Sequence, residues 1–188
     1  MRTTKLLSFG SFALLTIAAC GRPPLPEPRY APGASRSSIT VTSPAFGEGS
    51  RIPVDHTCDG SDVMPELVLS APPENTKSLI LYVEDPDASA GVFTHMVAFN
   101  LKPDLHKLPS GATLEAAGEN ARFGLNDFHG ARYQGPCPPK GEGHRYRFRF
   151  VALNSTISLP EGAPRAQIDE ATDGHILGEG MLTGHFGH

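Results

Sequence analysis

The apolar and polar positions of the chain mostly repeat every two residues, the period of strands, rather than every 3.6, the period of helices. Over residues 145–153, Tyr146, Phe148 and Phe150 alternate with Arg145, Arg147 and Arg149, which predicts a strand with one apolar and one basic face. Residues 78–83 are a near-continuous apolar run, as in a strand buried on both faces, and 94–101 reads the same way. Ile39-Thr40-Val41 and residues 66–69 predict shorter strands. Ser43-Pro44-Ala45-Phe46-Gly47, Thr57-Cys58-Asp59-Gly60 and Pro72-Pro73 break the chain between them. Residues 165–177 carry the one plausible helical pattern, with Gly178 as its stop and His175 as a structural residue on it. Together these elements predict a mostly β domain, a β-sandwich with a minor C-terminal helical element.

The pattern before residue 39 is different. Arg2 and Lys5 precede residues 6–19, which are apolar apart from Ser8, Gly10, Ser11 and Thr16. That run is short for a bilayer span, which takes about 20 apolar residues, and has the form of a secretory leader. It ends in Ile17-Ala18-Ala19-Cys20, small residues before a cysteine, as a lipoprotein signal peptidase accepts. The expected organisation is a signal peptide over 1–19, a lipidated Cys20 with a tether over 20–38, and a domain over 39–188. Pro23, Pro24, Pro26, Pro28 and Pro32 would make the tether extended. The destination is the bacterial cell envelope, with membrane attachment through the N-terminal lipid.

A chain of 188 residues suits one domain, able to bury roughly 70% of its unfolded surface without metal or disulfide. With 16 basic and 20 acidic residues the net charge is −4, which argues against a nucleic-acid partner. Loss of Arg2 and Lys5 with the leader leaves 14 basic residues, so anionic headgroups would not attract the domain and the acyl chains would do the anchoring. The chain lacks GxSxG, GxxxxGK[ST], HExxH and CxxC motifs, and Gly178-Glu179-Gly180 with Gly184 does not form GxGxxG. No cofactor is implied. Once Cys20 is lipidated, Cys58 and Cys137 form an even pair, bridged in an oxidising compartment or free as two thiols near a pocket.

Polar groups concentrate at three strand ends: Glu84-Asp85-Pro86-Asp87-Ala88-Ser89, Thr94-His95-Met96-Val97, and residues 135–146, which hold Pro139, His144 and Tyr146. Loops on a rigid sheet commonly carry binding residues. Paired aspartates after a strand are also ordinary turn residues, and one histidine opening a strand is often only hydrogen-bonded, so residue types alone leave both readings open.

The order of motifs adds to this. Asp85-Pro86-Asp87-Ala88, then His95, Gly135-Pro136-Cys137-Pro138-Pro139 and His144-Arg145-Tyr146 resembles the phosphatidylethanolamine-binding protein family. Thr57-Cys58-Asp59-Gly60, Asn126-Asp127-Phe128 and Gly174-His175-Ile176-Leu177 resemble its bacterial, Raf-kinase-inhibitor-like branch. Ser89 and Met96 depart from the pattern, where proline and an aromatic are usual, and the segment from Pro139 to His144 is one residue short. The resemblance implies a β-sandwich with a small pocket for phosphate-type headgroups or other small anions. Asp85, His95, Pro139 and His144 would line it, with Asp87 and Tyr146 close by. Imidazole N–H groups of His95 and His144 would donate to anion oxygens, and Asp85 would orient a histidine or meet an ammonium. The leading functional expectation is a binding or regulatory module for a small anionic ligand or phospholipid headgroup. A hydrolase using the Asp/His pocket and a protein inhibitor or scaffold with an unnamed protein partner are the alternatives, and the chain offers no evident nucleophile for the former.

Overall fold

The computed structural model describes residues 30–32 and 37–188; the leader and Cys20 lie outside the described residues. The strands are β1 (Ser37–Ser38), β2 (Val41–Thr42), β3 (Ser50–Arg51), β4 (Leu67–Leu69), β5 (Ser78–Asp85), β6 (Phe93–Leu101) and β7 (Lys107–Leu108). Helix α1 (Leu114–Ala117) leads to β8 (Arg122–Phe123) and β9 (Gly143–Leu153), and helix α2 (Arg165–Thr172) precedes β10 (Ile176–Gly187). Seven strands form one sheet in the order β1-β10-β9-β5-β6-β8, with β3 also beside β10, and β2-β4-β7 form a second. The protein is therefore mostly β, as the apolar pattern predicts.

Strand β5 shows why. Leu79, Leu81 and Val83 face a core shared with Val41, Leu67 and Leu69 of the small sheet, and Ile80 and Tyr82 face a second core capped by Ile168 of α2. A strand covered on both sides needs apolar residues at every position, and all of β5 is buried. Strand β9 changes along its length. Tyr146, Phe148 and Phe150 enter the core between the sheets, while the opposite face runs from exposed Arg145 to buried Val151 and Leu153 beneath α2.

The boundary between those outer regions is ionic. The Glu84 carboxylate accepts from Arg149 and Arg165, and both guanidiniums lie over the Tyr82 ring, 4.5 and 4.9 Å from its centroid. Burial alone would raise the Glu84 carboxyl, but the two guanidiniums outweigh it and hold it below the usual range. These contacts fasten α2 to the sheet.

Three local expectations are corrected. Ile39-Thr40-Val41 is not one strand. β1 pairs with β10 and β2 with β4, so the chain crosses between sheets at Ile39–Thr40. The helix stops at Thr172, Gly174 takes a left-handed φ of 75°, and residues 176–187 form the long strand β10, leaving His175 exposed in the turn against Asn154. Its four glycines disguise that strand, because glycine is depleted from most strands. Finally, part of 20–38 belongs to the body. Tyr30 bridges Ile176 and donates its hydroxyl to Glu179 at 2.7 Å, and Ser37–Ser38 extends the large sheet.

Candidate functional site

The end of β5 and the beginnings of β6 and β9 meet at one end of the large sheet, because both β6 and β9 run antiparallel to β5. Asp85 closes β5 and His144 opens β9; the carboxylate meets the ring with Oδ2 2.7 Å from Nδ1. Both residues are buried, at 4% and 8% exposure. Asp85 Oδ1 also accepts the Asp87 backbone N–H at 2.8 Å, which folds the Asp85-Pro86-Asp87 turn back on the strand. Asp87 is committed to Arg145: its carboxylate accepts the backbone N–H and two guanidinium N–H groups, which hold its carboxyl down to about 2.

The other nitrogen of His144, Nε2, lies 3.1 Å from Glu142 Oε2. Glu142 is the exposed partner, with a side chain 60% accessible against 9% for the histidine. The hydrogen bond to Asp85 is the largest influence on this ring, followed by opposing burial and then Glu142, and its pKa is raised above the ordinary 6.5. A histidine whose folded pKa is raised contributes stability that is complete below about 6.5 and is lost as pH rises through the folded value. Asp85→Asn should therefore lower the thermal midpoint more at about pH 6 than at about pH 9, measured by calorimetry at both. Equal losses would mean that His144 draws no charge-dependent stability from Asp85.

His95 is set by a different device. Glu84 pairs with Thr94 and Val83 with Met96, so His95 is the extra residue of a β-bulge. The bulge re-aims its ring to the Tyr146 side, with centroids 5.2 Å apart at 82°. His95 Nδ1 lies 2.7 Å from the Gln134 carbonyl oxygen. That acceptor assigns the proton to Nδ1 and leaves Nε2 a lone pair in the neutral ring. Burial, the largest influence, depresses the pKa of His95. The two histidines are thus unlike: His144 favours the cation, and His95 the neutral ring with an acceptor nitrogen.

Asn126 holds the surrounding loop. Its amide donates to the carbonyls of His95 and Arg132 and to Gln134 Oε1, while its oxygen accepts from the N–H groups of Phe128 and Gly130. Phe128 is placed 42% exposed against Phe93 and His95, at 4.8 and 5.4 Å. Across the site, Cys58 is bonded to Cys137, and Cys58 N–H donates to the Pro136 carbonyl, tying the 135–139 loop to the 56–62 segment. Gly135 N–H and Asp62 Oδ1 add a third tie. Tyr146 is fully buried. Its hydroxyl lies near the Asp85 carboxylate and the Cys137 backbone, yet makes no hydrogen bond of ordinary geometry among the described residues.

A family model for phosphatidylethanolamine-binding protein matches residues 42–187. The chain belongs to the phosphatidylethanolamine-binding protein family. Its similar family relatives include a UPF0098 protein of Pyrococcus abyssi, 39% identical over 156 residues that cover 81% of this chain and 87% of the relative. A UPF0098 protein of Chlamydia trachomatis is 38% identical over 153 residues, 79% of this chain and 98% of the relative. Two solved structures share the phosphatidylethanolamine-binding fold. A homologue from Chlamydia trachomatis has a TM-score of 0.74 at 36% identity, covering 80% of this chain and 98% of its own. Escherichia coli YbcL, a member of the mammalian family, has a TM-score of 0.74 at 28% identity, covering 81% and 99%.

Of the residues expected in this family member's pocket, Asp85, His144, His95, Tyr146 and Asp87 converge. Pro139 stands exposed in the loop before them, where its carbonyl accepts Glu142 N–H at 3.1 Å. Glu142, Phe93 and Gln134 carry no assigned role in the sequence reading, and Asn126 enters it only within the motif Asn126-Asp127-Phe128. Glu142 carried one usable signal: an acidic residue two positions before His144, on the same side of an extended chain.

Proposed function

We propose that the protein is a membrane-tethered binding or regulatory module whose pocket takes a small oxyanion of the phosphate or phosphoethanolamine headgroup class. The observation that carries this reading is the Asp85–His144–Glu142 arrangement. A buried histidine, its pKa raised by the carboxylate behind it, already meets an oxyanion at its outer nitrogen, contributed by its own loop. An exposed carboxylate on a flexible side chain is displaced more readily than the buried Asp85. The acceptor nitrogen of His95 favours a ligand with a proton to give, such as a phosphomonoester monoanion or an ammonium.

The test is calorimetric titration with phosphate and phosphoethanolamine. Glu142→Gln removes a negative charge that competes for His144. Two such charges about 4 Å apart in water repel by about 1 kcal/mol, so phosphate should bind roughly three- to tenfold tighter than to the unaltered chain. No binding by either chain would sink the anion reading, and turnover of a phosphoester would make the pocket a hydrolytic one.

The tether rests on Ile17-Ala18-Ala19-Cys20 and the prolines behind it. In a bacterial host, Cys20→Ala should abolish acylation, measured by radiolabelled fatty-acid incorporation, and should move the protein from the membrane to the soluble fraction. Retention in the membrane at the unaltered level would remove the lipid anchor.

A further inference from the structure

The disulfide lies beside a third side chain able to ligate a metal. His188 follows β10, and one of its ring nitrogens and the sulfurs of Cys58 and Cys137 all lie within 4.8 Å of one another, on the surface. His188 Nδ1 lies 2.8 Å from Asp59 Oδ2, and Nε2 lies 2.9 Å from the Pro138 carbonyl oxygen. The ring is packed edge-on against Phe186, at 5.6 Å and 72°, which fixes where it points. We propose that the reduced chain carries a thiolate–imidazole site for zinc or a similar divalent ion, built from Cys58, Cys137 and His188, with Asp59 orienting the histidine.

Bridged sulfurs cannot serve as thiolates, so the site exists only after a dithiol reduces the bond. The dithiol gives two electrons and two protons, Cys58 and Cys137 become thiols, and the dithiol leaves as a disulfide. Metal binding then releases the two thiol protons. Zinc–sulfur bonds of about 2.3 Å and zinc–nitrogen bonds of about 2.0–2.1 Å place tetrahedral ligands roughly 3.5–3.8 Å apart. Freed sulfurs must separate to about that distance, and the histidine must close to it from a spread already within 4.8 Å. The Cα atoms of the two cysteines are 5.4 Å apart, so rotation about side-chain bonds supplies much of the change. Nε2 would leave the Pro138 carbonyl for the metal, while Nδ1 keeps Asp59. A carboxylate behind a ligating imidazole is the usual way of fixing its tautomer and raising its basicity. Two thiolates select zinc or cobalt over magnesium or calcium.

The consequence is mechanical. Cys58 and Cys137 tie the 56–62 segment to the 135–139 loop, which leads into Glu142 and His144. The bridge makes that tie in the oxidised protein and the metal would remake it in the reduced one.

The test uses the full-length Cys20→Ala chain, so that only Cys58 and Cys137 carry sulfur ligands among its cysteines. Cobalt(II) is added to the oxidised chain and to the chain reduced by a phosphine, with absorbance and thermal midpoint read in each. The reduced chain should take up one cobalt with a thiolate charge-transfer band and tetrahedral ligand-field bands, zinc should erase both, and the oxidised chain should show neither. Asp59→Asn should weaken binding roughly ten- to a hundredfold, as loss of an orienting partner does, and His188→Ala at least as much. If reduction loosens the fold, binding still registers as a midpoint that rises with metal concentration. The site is overturned if the reduced chain gives neither bands nor a rise, or if His188→Ala binds cobalt as tightly as its parent.

Discussion

Gly180→Ala should lower stability by about 3 kcal/mol or more, above most overpacking substitutions. In β10, the position of an added Cβ at Gly180 lies 1.7 Å from the Ile39 carbonyl oxygen and 2.6 Å from its carbon. The obstacle is backbone, so no rotamer change relieves it. It is also the segment where the chain crosses from β1 to β2 and therefore joins the two sheets. Relief requires Ile39, which is 2% exposed in the core, to withdraw from β10. For a domain of this size each kcal/mol moves the melting midpoint by roughly 2–4 °C, so calorimetry should record a fall of roughly 6–12 °C or more. Gly143→Ala is the matched control in the neighbouring strand β9. An added Cβ there meets nothing within 4 Å, and stability should stay within about 0.5 kcal/mol. A small loss at Gly180 would mean that Ile39 and β10 are not held this close in solution.

The same glycine explains where the sequence is hard to read. The hydrophobic pattern finds β5, β6 and β9 because each has at least one fully buried face and sequence period follows burial. β10 buries Ile176, Leu182 and Phe186 at its ladder positions, but glycines stand where Ile39, Phe46 and Ile52 approach its backbone. Those glycines are demanded by partners far away in the chain, so no local window shows that a strand is present. Its first residues instead complete an apparent helix.

The candidate site divides in the same way. Asp85, His95, His144 and Tyr146 stand at strand ends in a recognisable order, and they meet because three strands are antiparallel neighbours. The unlike chemistry of the two histidines was not legible. It depends on a one-residue bulge that turns His95 and on which oxygen meets each ring: a carbonyl at His95, two carboxylates at His144. Glu142 was hidden for a related reason, since an exposed acidic residue between glycines reads as a solvated turn until its distance to His144 is known.

His144→Ala should weaken phosphate binding roughly ten- to over a hundredfold, through loss of one charge-assisted hydrogen bond of about 1.5–3 kcal/mol. The fold should survive by circular dichroism, because the ring lies at the open end of β9 and not among the sandwich core residues. The effect depends on pH in a defined direction. His144 is raised above 6.5 by Asp85, so it remains a cation to higher pH than a free histidine, and affinity should decline as pH climbs through that raised value. Asp85→Asn preserves a hydrogen-bonding group of the same size but removes the charge behind the ring. Its decline should begin at lower pH, so the ratio of parent to variant affinity should be largest between the two titrations and shrink on the acid side, where both rings are charged. His95→Ala should behave differently. The neutral ring has its Nδ1 proton on Gln134, so removal should cost binding of a proton-bearing ligand more than of a fully ionised one. His175→Ala, in an exposed turn after α2, should leave binding unchanged. Calorimetric titration of these chains over pH 5–8.5 decides between the roles. Coincident pH profiles for the parent and Asp85→Asn would separate Asp85 from the charge of His144, and equal affinities for the parent and His144→Ala would remove the histidine from the site.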